Sequence, residues 1–110
     1  MIEDTIDKIQ TRIEAAESIN EDRRRELLQL LGTLKSEVAR LSKTNEEQAQ
    51  SIAGFAEIST HEATRTTRNP HLLRLSLDGL SSSVEELETS HPQLVRLVNA
   101  ISNTLSNLGI

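Results

Sequence analysis

Residues 73–108 read LRLSLDGLSSSVEELETSHPQLVRLVNAISNTLSNL, and their spacing decides the fold. Leu73, Leu77, Leu80, Val84 and Leu87 form one apolar line at alternating steps of four and three. Leu94, Val98, Ile101, Leu105 and Leu108 form a second. On a helix, residues three and four apart share a face, whereas a strand repeats every second residue. The two lines share one heptad register, with His91 in the missing place, so one long helix kinked at Pro92 and two separate helices both fit. Ser90, Pro92 and Gln93 together make a helix-start signal and favour a new helix from about residue 90. Gly109 is placed to stop it.

The same rhythm runs upstream. Ile2, Ile6, Ile9, Ile13 and Ala16 form a narrow stripe whose first turn carries Glu3, Asp4 and Asp7, suited to the positive end of a helix dipole. Ser18 followed by Glu21 reads as a capping box opening the next helix. That helix carries Leu27, Leu31, Leu34, Val38 and Leu41, widened by Leu28 and Leu30. Gly32 within it costs about 1 kcal/mol against Ala. The polar SKTNEEQ, residues 42–48, reads as a break capped by Thr44 or Asn45, although Ile52 and Phe55 would keep the phase of a continuous helix. Residues 48–67 are Ala-rich, with Ile52, Phe55 and Ile58 as their apolar positions and shallow sides that let neighbours come close. Pro70 then ends the segment, because the residue before a proline is pushed out of helical geometry.

The expectation is one all-α domain over residues 1–110. Antiparallel helical hairpins form a small bundle of four to five helices with coiled-coil-like packing, at about 2–17, 20–43, 46–67, 71–89 and 91–108. With no cysteine, disulfides, zinc thiolate sites and thiol chemistry are excluded. The first residues lack the basic and apolar runs of a secretory signal, and no apolar run approaches the roughly 20 residues of a membrane span. A cytoplasmic protein without a membrane segment is expected. A net charge of −5, with one Phe and no Tyr or Trp, disfavours nucleic acid: it offers little phosphate neutralisation and no stacking platforms.

Candidate chemistry is sparse. Glu88 and His91 have the i, i+3 spacing of helical carboxylate metal sites, but such sites need two such pairs and two more carboxylates. His91 as a cap or hinge is the favoured reading. In HEATRTTRNPH, residues 61–71, Arg65 and Arg68 could grip an anion while His61 titrates, with Glu62 and His71 nearby. A Glu62–Arg65 pair on a solvated helix is the simpler account. Arg23, Arg24 and Arg25 lie among Glu21, Asp22 and Glu26 and read as a solvated face. Ser81 to Ser83 fit small packing positions as well as phosphorylation. No phosphate loop, nucleophile elbow or calcium loop is present, so no cofactor, no metal and no enzymatic activity is expected.

Two-in-seven stripes are typical of coiled-coil seams and bury little per helix, so a second copy would complete the core. The last helix has Arg96 as its one charge and Asn99, Ser102, Asn103, Thr104, Ser106 and Asn107 as its polar side. Interface cores are depleted in charge. Leu94, Val98, Ile101, Leu105 and Leu108 are therefore the candidate interface, the alternative being that this is the central helix of the monomer.

The ETSHPQL segment (Glu88–Leu94), the closing NTLSNLGI (Asn103–Ile110) and the acidic helix pair joined at SINEDRRRELL (Ser18–Leu28) resemble a family of short, uncharacterised bacterial all-helical proteins. That family is classed only as a domain of unknown function. Against it, residues 46–69 look like an insertion. The resemblance implies a single helical domain and no catalytic or binding residues. The expected role is a self-associating helical interaction or structural module, with a dimer favoured and a protein partner as the other occupant. The alternative is a ligand- or metal-responsive protein using His61 to His71.

Overall fold

In the computed structural model, which describes residues 2–108, Ile2, Ile6, Ile9 and Ile13 form the buried face of α1 (Ile2–Ala15). Its end is set by the next helix: Arg24 Nη2 donates to the carbonyls of Ala16 at 2.6 Å and Ile19 at 3.2 Å. A guanidinium there satisfies carbonyls left over at a helix C-terminus and suits its negative pole. Arg24 thus differs from the solvated role expected of the arginine run: it is a clamp between helices. The α2 helix (Glu21–Leu41) is capped by Asn20, whose side chain accepts from Arg23 N at 2.9 Å. The cap is therefore Asn20 and not Ser18, which lies exposed in the preceding turn.

The break after α2 is real. Its last turn is closed by Thr44 N and Asn45 N donating to Leu41 O, and Asn45 then caps α3 (Glu46–Thr64) by accepting from Gln48 N at 3.1 Å. The buried face of α3 is Ala49, Ile52, Ala53, Ala56, Ser59, Thr60 and Ala63. Phe55 and Ile58, expected among its inward positions, point outward instead. Small residues fill this face because α3 packs against α1, α2, α4 and α5 at once.

Asn69 caps α4 (Pro70–Ser82), accepting from Leu72 N at 3.1 Å, with Pro70 at the first helical position, where its missing N–H costs nothing. The helix stops at Ser82, short of the expected residue 89. Ser76 Oγ donates to Leu73 O and Ser83 Oγ to Leu80 O, the local bonding by which serine competes with helix propagation. A 3-10 turn, Glu85–Leu87, follows and still carries Val84 and Leu87 inward. Between it and α5 (Pro92–Leu108) the chain turns, so Pro92 begins a new helix and does not kink a long one. Ser90 does not cap it; its Oγ lies 3.0 Å from His91 Nδ1. Gly109 lies outside the described residues. Among these residues there are five α-helices and no strand.

Two hairpins and a closing helix make the bundle. Lys35 on α2 meets Asp7 on α1 at 2.7 Å, and with a turn of only a few residues this sets the first pair antiparallel. In the second pair, Gln48 Nε2 donates to Ser83 O, while Phe55 lies against Gly79, where a Cβ would run into the ring. Advancing along α3 therefore means retreating along α4. The α5 helix packs on α2, α3 and α4. The Cα radius of gyration is 12.9 Å, close to the roughly 13 Å of a compact domain this long. The narrow seams are thus covered within a single chain, with Ile6, Leu27, Leu34, Val98 and Leu105 wholly buried. No helix among the described residues is long and apolar enough to cross a membrane.

The Lys35–Asp7 pair makes stability depend on alkaline pH. The hydrogen bond to Asp7, aided by the negative fields of Asp7, Glu3 and Asp4, raises the Lys35 pKa above its ordinary value. A raised folded-state pKa contributes stability that is complete below the unfolded lysine pKa and lost as pH rises through the folded one. Urea unfolding should therefore show Lys35→Gln less stable than the parent at neutral pH, with the gap closing above the lysine range. An equal gap at both pH values would remove the charge from the explanation.

Candidate functional site

The residues singled out for chemistry gather only in part, around Glu62. Glu62 is buried on α3 and accepts from Arg65 Nη1 at 2.9 Å, which confirms the ion pair. His61 faces solvent, its Nε2 3.9 Å from Glu62 Oε2. Arg68 lies in the α3–α4 connection and His71 in the first turn of α4, both exposed. Glu62 and Arg68 do line one groove of about 470 Å³, together with Arg74, Asp78 and Ser106. That wall alternates cations and carboxylates, so it has no net preference for an anion.

Glu88 and His91 fall in the turn between the 3-10 segment and α5, not on one helix face. His91 instead lines a groove with Arg40 and Arg96, where Arg40 already pairs with Glu37 at 3.3 Å. Among the described residues no three His, Asp or Glu side chains gather as a metal site would require. A larger open groove of about 890 Å³ runs between α1 and α3. Its wall mixes Asp7, Lys8, Arg12 and Glu57; Asp7 is held by Lys35, and Thr60 Oγ1 donates to its own helix at Ala56 O.

The candidate interface of Leu94, Val98, Ile101, Leu105 and Leu108 is buried inside the chain. The charge-poor last helix is therefore covered on its apolar side by the chain's own helices, while Asn99, Asn103, Ser106 and Asn107 face solvent; those five apolar side chains offer no free surface. The exposed apolar surface lies elsewhere. Among the described residues four large apolar side chains remain open: Phe55 at 37 %, Ile58 at 50 %, Leu72 at 39 % and Leu75 at 53 % relative exposure. Phe55 and Ile58 are three apart on α3; Leu72, Leu75 and Gly79 share a face of α4. With the Phe55 ring on Gly79 and the helices antiparallel, Ile58 falls opposite the turn holding Leu75. The four make one strip along the outside of the hairpin. Isolated exposed leucines are ordinary; these four are neighbours.

Sequence reasoning missed this strip because it ranked residues by size. Counting alanine as apolar would have drawn the α3 stripe through Ala49, Ala53, Ala56 and Ala63 and left Phe55 and Ile58 outside it.

No curated protein and no solved structure matches the chain. A family profile does match, over residues 27–110, taking in most of α2 and everything after it: the chain belongs to the family described as a domain of unknown function (DUF4404).

Proposed function

We propose that this chain works by association and not by catalysis, as a self-associating helical module of the cytoplasm, and that it associates through the outer face of the α3–α4 hairpin. The observation behind this reading is the strip of Phe55, Ile58, Leu72 and Leu75, left exposed in a bundle whose other apolar seams are covered. Burying apolar area contributes about 25 cal/mol per Å², and half-exposed leucine and isoleucine side chains have part of that still to gain. A net charge of −5 makes a protein surface a better partner than nucleic acid. The reading of a ligand- or metal-responsive protein has less support, since Glu62 already pairs with Arg65 beside His61, and the groove it shares with Arg68 carries Asp78 as well.

Light scattering over a micromolar concentration series is the test. The mass should rise from the 12.2 kDa of one chain towards twice that value, and Ile58→Glu with Leu75→Glu should hold it at one chain while leaving the helical circular dichroism unchanged. A parent that stays at one chain throughout would overturn the proposal.

A further inference from the structure

We infer that the second copy lies antiparallel on this face, about a twofold axis near Phe55, with the basic end of each hairpin against the acidic end of the other; this rests on the self-association proposed above. The hairpin is electrically polar along its length. Where α3 ends and α4 begins it carries Arg65, Arg68 and Arg74 against one carboxylate, the buried Glu62. Where α3 begins and α4 runs out it carries Glu46, Glu47, Glu85 and Glu86 against one lysine, Lys43. A parallel pairing would set like charges on like. An antiparallel one sets the arginine-rich end of each hairpin towards the glutamate-rich end of the other, and it closes, because each copy presents the same patch.

Helix geometry places the axis. Glu47 precedes Ile58 by three turns on the outward line of α3, and Arg65, the residue just past the end of the helix, comes seven residues after it. Their midpoint is residue 56, beside Phe55. A twofold there lays Glu47 of one copy across from Arg65 of the other, with the apolar strip between them, which is the usual apolar centre and charged rim. The thirteen residues of α4 span about 20 Å and the hairpin is about as wide. A footprint of roughly 400 Å² per copy is small for a stable interface and fits a reversible dimer.

With no cysteine in the chain, one introduced by substitution is unique. Glu47→Cys and Arg68→Cys, both at exposed positions, are treated with a short bis-maleimide, separately and mixed. The mixture should cross-link several-fold more than either alone. Self-linking of each variant would mean a parallel pairing and overturn this inference while leaving self-association standing. A dimer by light scattering with no cross-link in any sample would put the contact on another face and also overturn it; a single-chain mass would overturn the parent proposal as well. As a second measure, Arg68→Glu with Arg74→Glu should weaken the dimer about tenfold, and mixing with Glu46→Arg, Glu47→Arg should restore it. Weakening without restoration counts against the charge pairing.

Discussion

Leu105→Ala should cost about 3–5 kcal/mol, the upper part of the range for leucine truncations in packed cores. Leu105 is wholly buried on α5, the helix that α2, α3 and α4 all pack against. Removing its isobutyl group loses the transfer free energy and leaves a cavity that three rigid helices cannot all close upon. Small domains are stable by only about 5–15 kcal/mol, so this one change removes a large share. The thermal midpoint should fall by roughly 15–30 °C, given 4–8 °C per kcal/mol for a domain near this size. Urea denaturation with an unchanged m-value would locate the loss in the folded state. A cost below about 1 kcal/mol would mean that the apolar face of α5 is not packed in the core, and that it remains available to a partner.

Ala56→Leu tests the opposite error, overfilling. Ala56 lies buried in a face of mostly small residues that includes Ala49, Ala53, Ser59 and Ala63. Helices meeting at such positions approach closely, and three added carbons have no space to occupy. Overpacking of this kind costs about 1–3 kcal/mol, with more where the backbone must move. Thermal unfolding beside Ile58→Leu, a change of comparable chemistry on the exposed side of the same helix, separates packing from helix propensity. The expected order is a clear loss for Ala56→Leu and almost none for Ile58→Leu. Stabilisation by Ala56→Leu would show that α3 sits over a void and that its small residues do not set the helix spacing.

Helix starts show how local chemistry was legible yet misassigned. Asn20, Asn45 and Asn69 each cap a helix by accepting from the N–H three residues on. Asn45 stood out because a polar run surrounded it. Asn20 was overshadowed by the Ser18–Glu21 pair, which satisfies the same pattern two residues too early. Pattern rules identify a cap type within a few residues; which side chain reaches the free N–H depends on where the preceding helix ends, and Arg24 settles that from the far side of the turn. The serine run explains the early end of α4 in the same way. Leucine spacing through residue 87 continues a helical phase that the backbone abandons at Ser82, and the seam survives because a 3-10 turn still aims Leu87 inward.

The candidate site divides along the same line. The Glu62–Arg65 pair was readable, being three residues apart at the end of one helix, although its carboxylate is buried and not solvated as expected. The apolar strip was not, because it depends on two segments separated by more than ten residues and on a glycine that lets the Phe55 ring lie against α4.

By itself the sequence determined the helical class, the order of its elements and the inward lines of α1, α2 and α5, since side-chain periodicity is a property of each helix alone. Only the tertiary structure decided where those lines lead. A two-in-seven stripe looks alike whether a second copy covers it or the chain's own hairpins do, and here the hairpins do. The apolar surface left open is found by subtraction, after the helices have covered one another, and is a quantity that no single helix contains.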